Sequence, residues 1–413
     1  MRRLTGNAVI GQSGGPTAAI NSSLAGVISG LIGDERINKV YGMRYGIDGF
    51  LGEDLIDISS VFSGECAAEK LELLSHTPAS ALGSCRKKLP NPSDDPEFFN
   101  GIFDLFEKYD IRYFFYIGGN DSMDTVAKLS EYTKQRDYDI NIVGVPKTID
   151  NDLCSTDHTP GFGSSAKYIA TTVQEIIRDC SVYTVPAVTI VEIMGRDAGW
   201  LTVSSAIGRI VNGFAPDYVY LPERAFSLDA FLEDVKRALA KHPNVVIAVS
   251  EGLRDVNGVY VGEGTQSGVA DVFGHKYLSG TGKALELFVK EKIGCKVRSV
   301  ELNISQRCAA HAASATDIDE AFRVGRAAAD AALAGATGCM MSIERNEGEE
   351  YSVSFVPKEI SGIANAVKTV PDKFINAEGN NVTDEALEYL LPLIKGEVAL
   401  KWRDGLPEIF VFE

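Results

Sequence analysis

The chain reads as an α/β protein built on parallel strands. Apolar, β-branched or aromatic runs at Ala8–Ile10, Tyr113–Ile117, Ile142–Val145, Val188–Ile193 and Val245–Val249 each stop abruptly at glycine or polar residues. Helical periodicity follows, as at Ile20, Leu24, Val27, Ile28 and Leu31 after the first run. At 413 residues the chain also exceeds the roughly 100 to 200 residues of one domain, so two domains are expected. No fixed-period repeat, low-complexity tract or long linker marks a boundary between them, so the boundary is expected to be discontinuous or subtle.

Composition narrows the function classes. Hydrophobic residues at 45% and charged residues at 23% match ordinary globular usage. A formal charge of −17 without a compensating basic cluster opposes a nucleic-acid backbone, so no nucleic-acid partner is expected. Small anions are not excluded, because a few convergent cations and backbone amides inside a cleft suffice to hold them. The seven cysteines are scattered, odd in number and free of C-x-x-C pairs, which argues against a zinc site or a disulfide framework and for a reducing cytoplasm. Residues Met1 to Gly6 lead into a strand-like segment without a signal-type apolar run, and no stretch approaches the roughly 20 apolar residues of a membrane span.

Each strand end carries polar cargo, and in an open parallel sheet ligands bind outside those ends. After the first run, Gly14 and Gly15 allow backbone amides to approach a phosphate at a helix start that Pro16 can assist, although a plain strand-to-helix turn fits as well. Gly118-Gly119-Asn120-Asp121-Ser122 repeats this with an added carboxylate, or is a helix start capped by Asn120 or Asp121. Val145-Pro146-Lys147-Thr148-Ile149-Asp150-Asn151-Asp152 sets one lysine and two carboxylates beyond a buried strand. Such a group can supply a base, a magnesium partner and an ammonium for a moving phosphoryl group, or be a polar turn. Met194-Gly195-Arg196-Asp197-Ala198-Gly199-Trp200 and Ser250-Glu251-Gly252 end the last two runs, and a carboxylate at Glu251 suits a sugar hydroxyl or water equally. Arg298 and Arg307 flank Val300 to Ile304 and suit a phosphate ester, as paired surface arginines also would. His76, His158, His242, His275 and His311 show no ligand spacing and read as structural or solvent-facing. Near the end, Thr383 is placed to cap a helix carrying Asp384 and Glu385, with Leu387, Leu390 and Leu391 inward, that stops at Pro392.

Taken in order, GQSGGP, GGNDS, PKTIDND, MGRDAGW and SEG resemble the phosphofructokinase A family, and within it the pyrophosphate-dependent branch. The likeness covers residues 11 to 252 and extends through Arg298 and Gln306-Arg307-Cys308-Ala309-Ala310 to about residue 340, while the last seventy residues carry no usable motif. The resemblance implies two similar Rossmann-like three-layer domains with the active site in the cleft between them. It divides the chain into 1–161 plus about 306–370 for the phosphoryl donor, and 162–305 plus part of the C-terminal tail for the sugar phosphate. The implied reaction is phosphorylation of fructose 6-phosphate to fructose 1,6-bisphosphate by pyrophosphate with Mg2+, reversible between glycolysis and gluconeogenesis, in a homodimer or homotetramer.

By the same resemblance Asp150 is the base, while Thr148, Asp152 and Arg196 position the reacting groups and stabilise the transferring phosphoryl. Met194 and Gly195 present backbone to the sugar, Glu251, Arg298 and Arg307 hold the sugar phosphate, and Gly14, Gly15 and Arg86 face the donor. Donor choice rests on Asp121 and Lys147, where ATP-using relatives have glycine. The carboxylate repels the α-phosphate of ATP and the ammonium supports pyrophosphate. Asn120 stands where many relatives have a magnesium-linked aspartate, so metal is assigned to Asn120 and Asp121, with Asp150 or Asp152 as further partners. Ala187 and Ile304 replace an arginine and a histidine of ATP-dependent relatives, which leaves sugar selectivity open and makes sedoheptulose 7-phosphate a second candidate acceptor. The rival readings are an ATP-dependent phosphofructokinase, a nicotinamide dinucleotide or lipid kinase of the same superfamily, and a noncatalytic subunit that senses a sugar phosphate.

Overall fold

In the computed structural model, which describes residues 4–262, 280–363 and 366–412, the long strands sort into two sheets. Strands β1 (Gly6–Gln12), β2 (Ile37–Met43), β3 (Leu55–Asp57), β4 (Ile111–Gly118) and β5 (Asn141–Pro146) begin the first. Strands β6 (Ala187–Ile193), β7 (Tyr218–Tyr220), β8 (Asn244–Ser250) and β9 (Lys296–Glu301) form the second, and β10 (Cys339–Arg345) and β11 (Val353–Glu359) return to the first. The orders are β11-β10-β5-β4-β1-β2-β3 and β7-β8-β6-β9. All pairs in the second sheet are parallel, and in the first only the edge pairs β10–β11 and β2–β3 are antiparallel.

The five apolar runs are all strands, and their registers decide what meets beyond them. Gln12 pairs with Ile117 and Gly118 with Pro146, so the loops after β1, β4 and β5 leave the sheet at one level. In the second sheet Ile193 pairs with Ser250, so the loops after β6 and β8 do the same. Strand order reverses between β4 and β1, where a parallel sheet opens a crevice.

Helix Ile20–Leu31 buries Ile20, Leu24, Val27, Ile28 and Leu31 and packs along helix Ala315–Leu333. The two backbones touch through paired glycines. A β-carbon on Gly26 would lie 2.0 Å from the Phe322 carbonyl oxygen, and one on Gly325 would lie 2.1 Å from that of Ser23. The buried Asp317 carboxylate ties the same long helix to the start of helix Phe162–Cys180, accepting from the Gly161 and Ser164 amides at 2.9 Å and the Ser164 hydroxyl at 2.5 Å. His158 is structural: its ring lies 2.8 Å from Asp157 Oδ1 and 2.6 Å from Glu320 Oε2. Burial opposes its charge, but the two carboxylate hydrogen bonds prevail and its pKa is raised. His275 lies outside the described residues.

Three local expectations are corrected. Pro16 does not start the first helix, which begins at Ile20, where the Thr17 hydroxyl accepts from the Ile20 amide at 2.9 Å. Helix Asn120–Thr133 begins after Gly119, so Asn120 and Asp121 occupy its first turn instead of capping it. Thr383 precedes helix Asp384–Leu390 without a side-chain cap, its hydroxyl donating to Lys373 O at 3.1 Å, and the helix stops at Leu390, with Leu391 opening a 3₁₀ turn while still packing, half-buried, against the core of Leu387 and Leu390. Because the glycine contact has no room for a methyl group, Gly26→Ala is expected to destabilise the fold by about 2 kcal/mol or more, read as a lower urea midpoint.

Candidate active site

A cavity of about 440 Å³ lies where the strand-end loops of the two sheets face each other. Its wall includes Gly14, Gly15, Arg86, Asn120, Asp121, Lys147, Thr148, Asp150, Asp152, Arg196 and Glu251. Fourteen of the fifteen site positions expected from sequence either form this wall or border it; Arg298 is the exception.

Lys147 follows β5 directly, and its amide donates to Gly118 O at 2.9 Å. The side chain turns under the glycine loop, where its Nζ donates to Gly15 O at 2.7 Å, and only 3% of the residue is exposed. Burial lowers its pKa to about 8; Asp150 acts to restore the charge, and Arg86 opposes it. The Gly83–Arg86 stretch is fastened to the same loop, with the Gly14 amide donating to Cys85 O at 3.1 Å and the Ser84 hydroxyl to Gly14 O at 2.6 Å. This brings Arg86 to the cavity from a distant part of the sequence.

The Thr148 hydroxyl accepts from the Asp150 amide at 3.1 Å, and Asn151 adopts the left-handed region at φ 53. This sharp turn puts both flanking carboxylates on the cavity wall. Burial raises the Asp150 pKa, against the pull of Lys147 and then Arg196. Asp152 is pushed up to about 7 by burial and then by Asp150, and its Oδ2 accepts from Asn120 Nδ2 at 3.2 Å. Glu251 is pushed up to about 8 by burial and then by Asp150.

Arg196 and Glu251 come from neighbouring strands whose loops interlock. The Gly195 amide donates to Glu251 Oε1 at 3.4 Å, the Ser250 hydroxyl donates to Gly195 O, and the Met194 amide donates to Gln306 Oε1 at 3.1 Å. A β-carbon on Gly252 would stand 1.9 Å from the Arg196 carbonyl oxygen, so the two loops approach this closely only with glycine there. Gln306 lies in the short helix Ser305–Cys308, which also carries Arg307. A β-carbon on Gly15 would lie 3.7 Å from Arg307 Nη1, and the charge of Arg307 favours the ionised form of Asp150.

Arg298 sits within β9 opposite Thr189, away from the strand ends. It lines a separate cavity of about 180 Å³ with Cys180, Tyr183 and Lys296. The structure therefore does not bring it to the cleft of its own chain. Conversely, Ser13, Lys88, Asp197, Ala198 and Val367 line the cleft without having been singled out from sequence. Lys88 had a signal in the Arg86-Lys87-Lys88 run and Asp197 in MGRDAGW, whereas Val367 belongs to a tail without motif.

Among the described residues no group of three or more histidine, cysteine or acidic side chains is arranged to hold a metal ion. The donor set instead fits magnesium, which keeps water and takes much of its coordination from substrate phosphates. Asn120 Oδ1 is buried without a hydrogen-bond partner, beside the Asp152 carboxylate that its amide group contacts. Asn120 and Asp121, with Asp150 or Asp152, would hold the ion at this wall.

A cleft that gathers an ammonium, guanidinium groups and carboxylates around a glycine loop has the make-up of a phosphotransferase site. The chain belongs to the phosphofructokinase family, whose model, Phosphofructokinase, matches residues 7–332. It is 40% identical to a Halomonas elongata protein named pyrophosphate--fructose 6-phosphate 1-phosphotransferase, over 98% of this chain and 95% of that one. It is 31% identical to a sulfofructose kinase of Alkalicoccus urumqiensis, over 93% and 95% of the two chains. The crystal structure of a pyrophosphate-dependent phosphofructokinase from Nitrosospira multiformis superposes with a TM-score of 0.86 at 36% identity, covering 97% of this chain and 95% of that one.

The raised carboxylates tie stability to pH. A folded pKa above the unfolded value gives a contribution that is complete below the ordinary carboxylate range and lost as pH rises through the folded value, here about 7 for Asp152. Asp152→Asn is therefore expected to melt with the wild type near pH 4 and at least about 2 °C above it near pH 9, measured by calorimetry.

Proposed function

We propose that this chain transfers a phosphoryl group from inorganic pyrophosphate to the 1-hydroxyl of fructose 6-phosphate, giving fructose 1,6-bisphosphate and orthophosphate, with Mg2+ and reversibly. The observation that carries the donor assignment is the placement of Asp121 and a buried Lys147 on the wall of one cavity. Lys147 presents its charge beneath the glycine loop, where a short polyanion lies within reach. Asp121 opposes the additional phosphate and the nucleoside that ATP would bring.

In this reading Asp150 takes the proton of the 1-hydroxyl as its oxygen attacks the near phosphorus of pyrophosphate. Its pKa, raised by burial, makes its ionised form a stronger base than an ordinary carboxylate. The bridging P–O bond breaks and orthophosphate leaves with the electron pair. Lys147 and Arg196 offset the charge spread over the transferring group, and Thr148 and Asp152 hold the reacting loop in place. Gly14, Gly15 and Arg86 cradle the donor. Met194, Gly195 and Glu251 meet the sugar hydroxyls, and Arg307 meets the 6-phosphate. Magnesium, when bound beside Asn120 and Asp121, supplies divalent charge to the phosphate oxygens. Both bonds exchanged are phosphate bonds to oxygen, and the anhydride drives the reaction only modestly, which permits both directions.

A role for Arg298 on the sugar phosphate requires a homodimer or homotetramer in which a second copy carries it to the cleft. The seven free cysteines suit a cytoplasmic protein, and no helix among the described residues is long and apolar enough to cross a membrane.

Coupled assay of fructose 1,6-bisphosphate formation is expected to show faster turnover with pyrophosphate than with ATP, and loss of turnover when magnesium is chelated. Faster turnover with ATP would overturn the donor assignment, and turnover by the purified chain excludes a noncatalytic subunit. Running the assay with sedoheptulose 7-phosphate beside fructose 6-phosphate fixes the acceptor. Asp150→Asn is expected to lower kcat by about 10² to 10⁴. Asp121→Gly should admit measurable ATP turnover while the pyrophosphate reaction weakens.

A further inference from the structure

The loops bearing Asp150 and Arg196 come from different sheets, yet one short segment, residues 367–370, is bonded to both. This segment lies beyond the residues matched by the family model. On one side Val367 bridges to Leu153, and the Lys368 amide donates to Asp152 O at 2.8 Å. The Lys368 ammonium donates to Asp157 O at 2.7 Å, Asn151 Oδ1 at 3.2 Å and Thr156 O at 3.3 Å. On the other side Trp200 Nε1 donates to Lys368 O at 2.9 Å. One oxygen of Glu223 then accepts both the Val370 amide and the Gly199 amide, each at 2.9 Å.

An ammonium has three protons, and all three of those on Lys368 have protein acceptors, so it is committed to holding the loop and not to binding a phosphate. It holds a segment that would otherwise relax. Asn151 is in the left-handed region between two carboxylates, and Asp150 repels both Asp152 and Glu251. Glu223 does the equivalent for the other loop, fixing Gly199 three residues after Arg196.

We propose that Lys368 and Glu223 are positioning residues, fastening a strap that sets the spacing between the Asp150 loop and the Arg196 loop across the cleft. The catalytic side of this inference rests on the proposed function, in which those two side chains act on the same phosphoryl group. Because a misplacement of about 1 Å can cost on the order of 10²-fold in rate, the strap acts on turnover more than on substrate affinity.

The test compares the wild-type protein with Lys368→Met, Glu223→Ala and Glu223→Gln, using pyrophosphate and fructose 6-phosphate. Lys368→Met and Glu223→Ala are expected to lower kcat by about 10²-fold, with each KM within about threefold of the wild type. Glu223→Gln should recover most of kcat, because its amide oxygen can accept the same two backbone protons. Amide hydrogen exchange without substrate gives the second readout. Lys368→Met should speed exchange at residues 195–200, and Glu223→Ala should speed it at residues 150–157, each on the far side of the strap from the substitution. Effects confined to the near loop, or wild-type kcat in both truncations, would overturn the inference. If Lys368→Met does not fold, the two Glu223 variants decide the matter in the same way. Absence of wild-type turnover would sink the function reading alone, and the exchange pattern would still decide the strap.

Discussion

Parallel pairing at matched register is the constraint from which the active site follows. Since Gln12, Ile117, Gly118 and Pro146 lie level, the glycine loop, the GGNDS turn and the lysine-aspartate loop must emerge together. The Ile193–Ser250 pair does the same for Arg196 and Glu251 in the second sheet. Each of these strands is buried along nearly its whole length, so a slip of one residue would send every side chain to the opposite packed face of its sheet. The hydrophobic core thus fixes the placement of polar groups that contribute nothing to it.

Convergence has an electrostatic cost, visible in the direction of every resolved shift at the wall. Burial drives Asp150, Asp152 and Glu251 toward their neutral forms and Lys147 toward its neutral form as well. Asp150 also raises Asp152 and Glu251, while Lys147 and Arg196 moderate Asp150. An acidic protein thereby gathers cations and carboxyls of raised pKa on the wall of one cavity. Instability of this kind is common where function needs charges that water would otherwise solvate.

The surrounding structure answers that cost with bonds to the loop backbones. Asp317 pins the turn into helix Phe162–Cys180, the Asp157–His158–Glu320 chain anchors the far end of the Asp150 loop, and Tyr351 donates to Glu320 at 2.8 Å. Segment 367–370 completes the set from the C-terminal side. Asp317, Glu320, Tyr351 and segment 367–370 all lie far from the Asp150 loop in sequence and meet it only in the folded chain.

Strand identity and the polar cargo of each strand end were legible in the sequence, because a buried parallel strand is a continuous apolar run and its loop begins where that run stops. The motifs PKTIDND, MGRDAGW and SEG could be read for the same reason: each is local. Local reading also explains the errors at Pro16, Thr383 and the Asn120 turn, where capping was settled by neighbours instead of by residue type. Arg298 and Arg307 look alike in sequence, nine residues apart, but one lies mid-strand and the other on the helix beyond the strand end, so only tertiary structure separates them. Val367, Lys368 and Glu223 carry no pattern, since their roles depend on which distant backbone groups they meet. The sequence by itself determined the α/β class and the chemistry offered at each strand end. Tertiary structure alone decided which of those ends share a cleft and what holds them there, because register and long-range hydrogen bonds join residues that no local spacing relates.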